Sequence, residues 1–334
     1  MNYTNHLQRL YERRRDHALS LESIHGDSFN KSICVFSNSS KSKNSWQYVE
    51  EAMKPLPKRS TEISYEEGDK IKCHLDEGLK SKNIDVTFRY QGSVTCNTHI
   101  KGASDIDLLV ITEKFYTLEH HPLAASHLYK GDPISDMQEL RNACHEILSE
   151  AYPVAKIDNT GAKSIRLSGG SLRRDIDVVP ANWFNSLLYD KFCQDFLRGV
   201  QVFDKNTKER TVNYPFYNQR LIEEKDKSCY RLYRPLIRLA KNLREDSEKR
   251  EVKEISSYDI QALFYNMPND SYYVQDDVDI VSSATQYMCS LLKNSAAFSK
   301  LYVPDKTRKI ADKLSIVQLK AFYREFYELA NNMT

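Results

Sequence analysis

Residues 104–112, with the sequence SDIDLLVIT, constrain the fold more than any other part of this chain. A β-strand turns successive side chains to opposite faces, so Asp105 and Asp107 point one way while Ile106 and Leu108 point the other way. The segment therefore predicts a strand with one face in a core and two carboxylates on the other, about 6–7 Å apart at Cα. Such a pair can converge on divalent cations, but an isolated pair of this kind is also typical of a solvated strand face.

The composition excludes several classes of protein. The 334 residues predict two domains at about 150 residues per domain. The longest strictly apolar run has four residues, far short of the roughly 18 that span a bilayer. The first residues lack the apolar stretch of a secretory signal, so we expect a soluble, cytoplasmic protein without membrane association. The net charge of +2 is too balanced for a nucleic-acid coat protein, so any basic site must be local.

Cysteine and histidine give no sign of a metal-binding framework. The seven cysteines are widely spread and include no C-x-x-C pair, which argues against disulfides and zinc and fits a reducing cytoplasm. His120, His121 and His127 fall in one short stretch. They lack a cysteine or carboxylate set at ligand spacing, so we interpret this stretch as a loop.

The periodicity of apolar residues changes along the chain. Helices are predicted over residues 1–24, 61–82 and 134–151, strands over 86–90, 104–112, 164–170 and 173–181, and a surface loop over part of 37–60. Helical pattern dominates from about residue 205 onward. We therefore expect an N-terminal helix and polar loop that pack on the core (1–60), a mixed α/β lobe (61–204) and an all-helical C-terminal lobe (205–334).

Two further motifs flank the first carboxylate pair. Gly92 and Ser93 directly follow the strand over 86–90, where a glycine lets the backbone approach a ligand and a serine can contact phosphate. An ordinary strand-ending turn is the alternative. Asp175 and Asp177 share a face of the strand over 173–181, and a two-metal site needs such a further carboxylate. Alternatively, Asp175 pairs with a neighbouring arginine at the surface.

In this order, the motifs G-S, D-I-D-L-L-V and D-V-V-P-A resemble the polymerase-β-like nucleotidyltransferase superfamily. The resemblance is closest to the branch that contains cyclic GMP-AMP synthase, oligoadenylate synthetase and the bacterial CD-NTases of anti-phage signalling. It implies a nucleotidyltransferase lobe followed by a helical lobe, with the active site in the cleft between them. It also implies two Mg²⁺ ions, replaceable by Mn²⁺, held by Asp105, Asp107 and Asp177, with Gly92 and Ser93 binding the nucleotide.

The second half of the chain carries an independent resemblance. Four basic residues recur at helical spacing: Arg231, Arg234, Arg238 and Lys241. By themselves they predict the solvated side of an amphipathic helix, with Pro235 in its first turn or at a kink. Residues 236–243 are similar to the helix that supplies a triphosphate-binding lysine in oligoadenylate synthetases, which by position is Lys241.

Residues 255–263, ISSYDIQAL, resemble the S-S-Y segment of cyclic GMP-AMP synthase. In that family a serine and a tyrosine hold and stack the donor base, so the resemblance assigns Ser257 and Tyr258 to these roles. Stacking on a tyrosine ring tolerates several bases. Core packing is the alternative for Tyr258.

The resemblance implies an enzyme that joins NTPs, with ATP expected among them, into a cyclic or short linear oligonucleotide second messenger. Pyrophosphate is the leaving group, and a separate effector binds the product. An activating protein or nucleic acid is compatible with the sequence, which identifies none. Two alternatives stay open: an RNA-terminal nucleotidyltransferase, for which the net charge gives little support, and a non-catalytic nucleotide-binding member, against which the three aspartates argue.

Overall fold

The computed structural model describes residues 3–14, 41–101, 105–125 and 129–333. The strands are β1 (Val86–Gln91), β2 (Ile106–Leu118), β3 (His121–Ala125), β4 (Lys156–Asp158), β5 (Ile165–Ser168), β6 (Ile176–Asn185), β7 (Gly199–Asp204) and β8 (Glu209–Asn213). The α-helices are α1 (Tyr3–Arg14), α2 (Lys41–Met53), α3 (Lys58–Ser81), α4 (Gly92–Thr95), α5 (Pro133–Ala151), α6 (Leu187–Phe192), α7 (Pro215–Ser228), α8 (Tyr233–Asp246), α9 (Arg250–Lys253), α10 (Ser257–Tyr265), α11 (Ile280–Lys293), α12 (Ser295–Phe298) and α13 (Ile316–Met333). None of the described helices is long and apolar enough to cross a membrane.

The chain forms two compact units, which do not follow the order of the sequence. The sheet unit consists of Pro57–Cys96 and Ser104–Arg220. The helical unit consists of Met1–Leu56, Asn97–Ala103 and Leu221–Thr334. The N-terminal helices thus belong to the same unit as the C-terminal ones, together with the short segment that leads from α4 to β2.

In the sheet unit, the described strands form one mixed sheet. Its order is β1-β2-β6-β5-β4, with β3 beside β2, and with β7 beside β6 followed by β8. The β2–β6 pair is parallel, whereas the other pairs are antiparallel. Leu108 and Val110 of β2 face one apolar core, which includes residues of α3 and α5, while Leu109 and Ile111 face a second core. This alternation fixes the register of β2, because a slip of one residue would exchange its two faces.

The helical unit is built around α8, which is buried along most of its length. Its C-terminal Asp246 is 1% exposed. It accepts hydrogen bonds from Arg13 of α1 and, at 2.8 Å, from the hydroxyl of Tyr48 in α2. A buried carboxylate requires such partners, because desolvation of an unpaired charge costs several kcal/mol. These contacts join both N-terminal helices to α8.

The structure confirms part of the predicted secondary structure and corrects part of it. The helix over 61–82 and the strand over 86–90 are confirmed, as are a mixed sheet and a helical C-terminal part. The loop over part of 37–60 is wrong for residues 41–53, which form α2. The expectation of helix from 205 onward is wrong for β8, which pairs with β7. Only residues 3–14 of the predicted helix over 1–24 are described, and they are helical.

Candidate active site

The parallel strands β2 and β6 begin side by side, and their pairing places Asp107 directly opposite Asp177. Adjacent strands are about 4.8 Å apart, so these carboxylates start from neighbouring backbone positions. One residue upstream, the N–H of Ile106 donates to the carbonyl oxygen of Asp175 at 3.2 Å. This contact continues the pairing toward Asp105. The four aspartates therefore share the beginning of two adjacent strands.

The Gly-Ser turn lies against Asp107. β1 ends at Gln91, which pairs with Asp107 in the antiparallel register. The next residue, Gly92, has a φ of 81°, in the left-handed region that favours glycine. A Cβ atom on Gly92 would lie 2.1 Å from Oδ2 of Asp107. Val94 anchors α4 in the core, while Gly92 is exposed and Ser93 is half-buried. A side chain at position 92 would therefore overlap with the carboxylate of Asp107.

An arginine on the neighbouring strand binds two of the aspartates. Arg166 of β5 lies opposite Asp177 in the strand register. Its Nη1 is 3.0 Å from Oδ2 of Asp105, and its Nη2 is 2.9 Å from Oδ2 of Asp175. The sequence reasoning missed this residue. A signal was available, since Arg166 is a single charged residue between the apolar Ile165 and Leu167. In a strand, alternation turns Arg166 away from the core that these two neighbours fill.

The position of β5 depends on a buried arginine in α5. Arg141 is 0% exposed. Its guanidinium donates to the side chain of Asn159 and to the carbonyl oxygens of Gly161, Ala162 and Ser164. The loop that enters β5 is therefore held by charge-assisted hydrogen bonds, which are stronger than neutral ones. This support fixes the strand on which Arg166 lies.

The electrostatics of the site reflect the crowding of negative charge. The pKa of Asp177 is raised above the usual value for an aspartate. Burial is the main cause, the nearby charge of Asp105 is the second, and the guanidinium of Arg166 partly offsets both. A carboxylate whose pKa is raised by a neighbouring negative charge lies where a cation would be stabilising.

The side chains as placed do not form a complete metal cage. Among the described residues, no three His, Cys, Asp or Glu side chains are close enough together to hold a metal ion. The carboxylate of Asp105 is instead bound by Arg166. The donor chemistry nevertheless fits Mg²⁺, which prefers carboxylate oxygens and binds through few of them. Asp105, Asp107 and Asp177 thus suit Mg²⁺ in donor type, and they lie at the start of two adjacent strands.

The predicted triphosphate ligand, Lys241, is buried in the helical unit. It lies in α8, is 1% exposed, and its Nζ donates to the carbonyl oxygen of Thr98 at 3.0 Å. Arg238, one turn earlier, donates to the carbonyl oxygens of Met53 and Asn97, and burial lowers its pKa to about 10. These basic side chains are not a solvated face, so that interpretation is wrong for them. They bind the segment between the Gly-Ser turn and β2.

The other two basic residues behave differently. Arg231 precedes α8 and has a φ of 63°, so it does not continue the helical face. Arg234 lies in the first turn, where its backbone N–H donates to Asp226. Pro235 also lies in this first turn, which confirms one of its two predicted positions.

Ser257 and Tyr258 occupy the first turn of α10, whose N-cap is Ser256. The hydroxyl of Tyr258 donates to Asp305 at 3.0 Å, and the guanidinium carbon of Arg308 lies 5.5 Å from its ring centroid. Ser257 accepts from Arg244 at 3.1 Å. The ring of Tyr258 is therefore held at its hydroxyl and on one face.

Comparison with known proteins identifies the family. A family model described as the cGAS/DncV-like nucleotidyltransferase C-terminal helical domain matches residues 220–333. The cyclic dinucleotide synthase CdnE of Yersinia aleksiciae is 36% identical over 282 residues, which are 83% of this chain and 73% of that protein. The chain belongs to the CD-NTase family.

Two further CD-NTase relatives extend the comparison. A c-di-GMP synthase of a Lachnospiraceae bacterium is 33% identical over 261 residues, covering 70% of this chain and 72% of that protein. The solved structure of the STING-associated CdnE c-di-GMP synthase from Capnocytophaga granulosa is similar with a TM-score of 0.76 and 28% identity. It covers 100% of this chain and 99% of that chain. The predicted fold class and family are thereby confirmed.

Proposed function

We propose that this CD-NTase joins two NTPs into a cyclic dinucleotide and releases pyrophosphate. The observation that carries the proposal is the register of Asp107 and Asp177 on adjacent strands, with the Gly92 turn against Asp107. The relatives named as c-di-GMP synthases make GTP the first substrate to test. The sequence resemblance adds ATP as an expected substrate.

In this proposal each residue of the sheet unit has a defined task. Gly92 lets the backbone come close to the phosphates, and the half-buried Ser93 offers them its hydroxyl. Asp105, Asp107 and Asp177 hold Mg²⁺, with Mn²⁺ as a substitute. When bound, the metal lowers the pKa of the acceptor ribose hydroxyl and offsets the charge that develops at the α-phosphate. Asp177, whose pKa is raised, would accept the proton of that hydroxyl as a general base.

In the helical unit, we propose that Ser257 and Tyr258 bind and stack the donor base. The triphosphate role of Lys241 stays a prediction, because its Nζ is engaged with Thr98. A structural role and a triphosphate-binding role of Lys241 predict different effects of its replacement.

Lys241→Met is expected to lower the free energy of unfolding by about 1–2 kcal/mol, because the carbonyl oxygen of Thr98 loses its buried donor. Chemical denaturation measures this loss, and steady-state kinetics should show that KM for the NTP changes less than about twofold. Lys253→Met removes an exposed lysine of the same unit and is the control. Unchanged stability with a severalfold higher KM would instead support triphosphate binding.

A product assay tests the proposed function. Each α-labelled NTP, alone and in pairs, is incubated with the protein and Mg²⁺ or Mn²⁺, treated with phosphatase, and analysed by mass spectrometry. We expect a phosphatase-resistant cyclic dinucleotide that contains guanine, absent from the Asp105→Asn/Asp107→Asn protein. Label transferred to added tRNA, with no small product, would favour the RNA-terminal alternative.

We further propose that the product is a second messenger in bacterial anti-phage defence. The relative from Capnocytophaga granulosa is a STING-associated synthase, so a separate receptor for the dinucleotide is the expected downstream partner of this chain. The cytoplasm, which supplies NTPs, is the expected location.

A further inference from the structure

The guanidinium of Arg166 lies where positive charge is needed at the crowded carboxylates. It bridges Asp105 and Asp175, at 3.0 Å and 2.9 Å. Asp105 belongs to the proposed metal-binding set, whereas Asp175 immediately precedes β6, and its carbonyl oxygen accepts from the N–H of Ile106. One side chain thus connects a metal-binding carboxylate to a carboxylate outside that set.

From this bridge we propose that Arg166 and Asp175 form a latch on the metal site. In the latched state Arg166 satisfies Asp105 and competes with the divalent cation. When the cation binds Asp105, the guanidinium keeps its contact with Asp175 and so stays away from the metal. The inference rests on the proposed function in that it takes Asp105 as a metal ligand.

The exposure of these groups sets the size of the effect. The side chains of Arg166, Asp105 and Asp175 are 46%, 30% and 39% exposed. Ion pairs of this exposure are screened by water and are weak. The latch therefore tunes cation affinity by about two- to fivefold and does not block the site.

The two latch residues should have opposite effects on cation affinity. Mn²⁺ binding to the nucleotide-free protein is measured by electron paramagnetic resonance, which needs no turnover. Arg166→Gln removes the ion pair with Asp105 and should tighten Mn²⁺ binding about two- to fivefold. Asp175→Asn leaves Arg166 with Asp105 as its partner and should weaken binding about twofold or more.

A double-mutant cycle separates the latch from simple long-range electrostatics. If Asp175 acts through Arg166, Asp175→Asn should have no further effect in the Arg166→Gln background. An equal weakening in both backgrounds would mean that Asp175 acts by its charge alone, and the latch would be disproved. Arg166→Lys keeps the charge but not the two-pronged bridge, so the latch predicts that it too tightens binding.

Lys156→Gln is the matched control for loss of one positive charge. Lys156 is an exposed residue of β4, which pairs with β5, and its replacement should change Mn²⁺ affinity less than about 1.5-fold, since exposed charges at a distance are screened. Unchanged or weaker Mn²⁺ binding by Arg166→Gln, including no measurable binding, would overturn the proposal. The two proposals can fail separately. If the product assay yields no dinucleotide, the proposed function fails, but the opposite effects of the Arg166 and Asp175 variants on Mn²⁺ affinity can still be observed.

Discussion

Asp107→Asn is expected to reduce dinucleotide formation at least about a hundredfold while the protein stays folded. Asp107 lies between two other parts of the site, since in the strand register it pairs with Gln91 on one side and Asp177 on the other. Asparagine keeps the size of the side chain but removes the negative charge on which cation binding depends. Product formation is followed by mass spectrometry, and the fold by thermal denaturation.

Asp85→Asn is the matched control for Asp107→Asn. Asp85 is an exposed residue of the same unit, immediately before β1, and we expect its variant to keep activity within about twofold, as is usual for exposed substitutions. If Asp107→Asn retained more than a tenth of the activity, charge at this position would not be essential. The assignment of the site to the start of β2 would then fail.

Local patterns predicted the elements that carry the site. The strand over 86–90 and the strand over 104–112 follow from alternation, and the structure has them as β1 and β2. By resemblance, the sequence assigned Asp177 rather than Asp175 as the third carboxylate, because Asp177 begins the D-V-V-P-A motif. The register places Asp177 opposite Asp107, whereas its role as a metal ligand stays a prediction. Register depends on pairing between distant segments, which alternation in one strand does not encode.

Burial was harder to predict than periodicity. The spacing of Arg238 and Lys241 correctly places them on one helix, but a helical wheel gives relative faces and not what covers them. Both side chains are covered within the helical unit, where Arg238 binds Met53 and Asn97 and Lys241 binds Thr98. Those partners lie far away in sequence, so no local signal reveals them.

Composition misled the prediction for residues 41–53. Their serine, lysine and asparagine content is typical of a loop, yet Tyr48, Val49 and Ala52 are all 0% exposed and form the buried side of α2. These three residues are one, three and four positions apart, which is the spacing of one helix face. That apolar spacing should have outweighed the polar composition of the segment. β8 was missed for a related reason. It is a short alternating segment that forms a hairpin with β7, and the strong helical pattern that follows it obscured this alternation.

Gly92→Ala is expected to reduce activity about a hundredfold, as displacements near 1 Å at reacting groups do. The new Cβ would lie 2.1 Å from Oδ2 of Asp107, so the carboxylate must move. The φ of 81° adds backbone strain of about 1–2 kcal/mol. Product formation and thermal denaturation are measured on the same preparations, because the strain affects stability and the displaced carboxylate affects catalysis.

Gly169→Ala separates the strain from the contact. Gly169 has a comparable φ of 69°, but a Cβ there would meet nothing within 4 Å. Both variants should lose similar stability, whereas activity should fall severely in Gly92→Ala and only about twofold or less in Gly169→Ala. Equal activities in the two variants would mean that backbone strain alone explains the need for glycine at position 92. A selective loss in Gly92→Ala would tie that need to Asp107, because the contact with its carboxylate is what distinguishes the two sites.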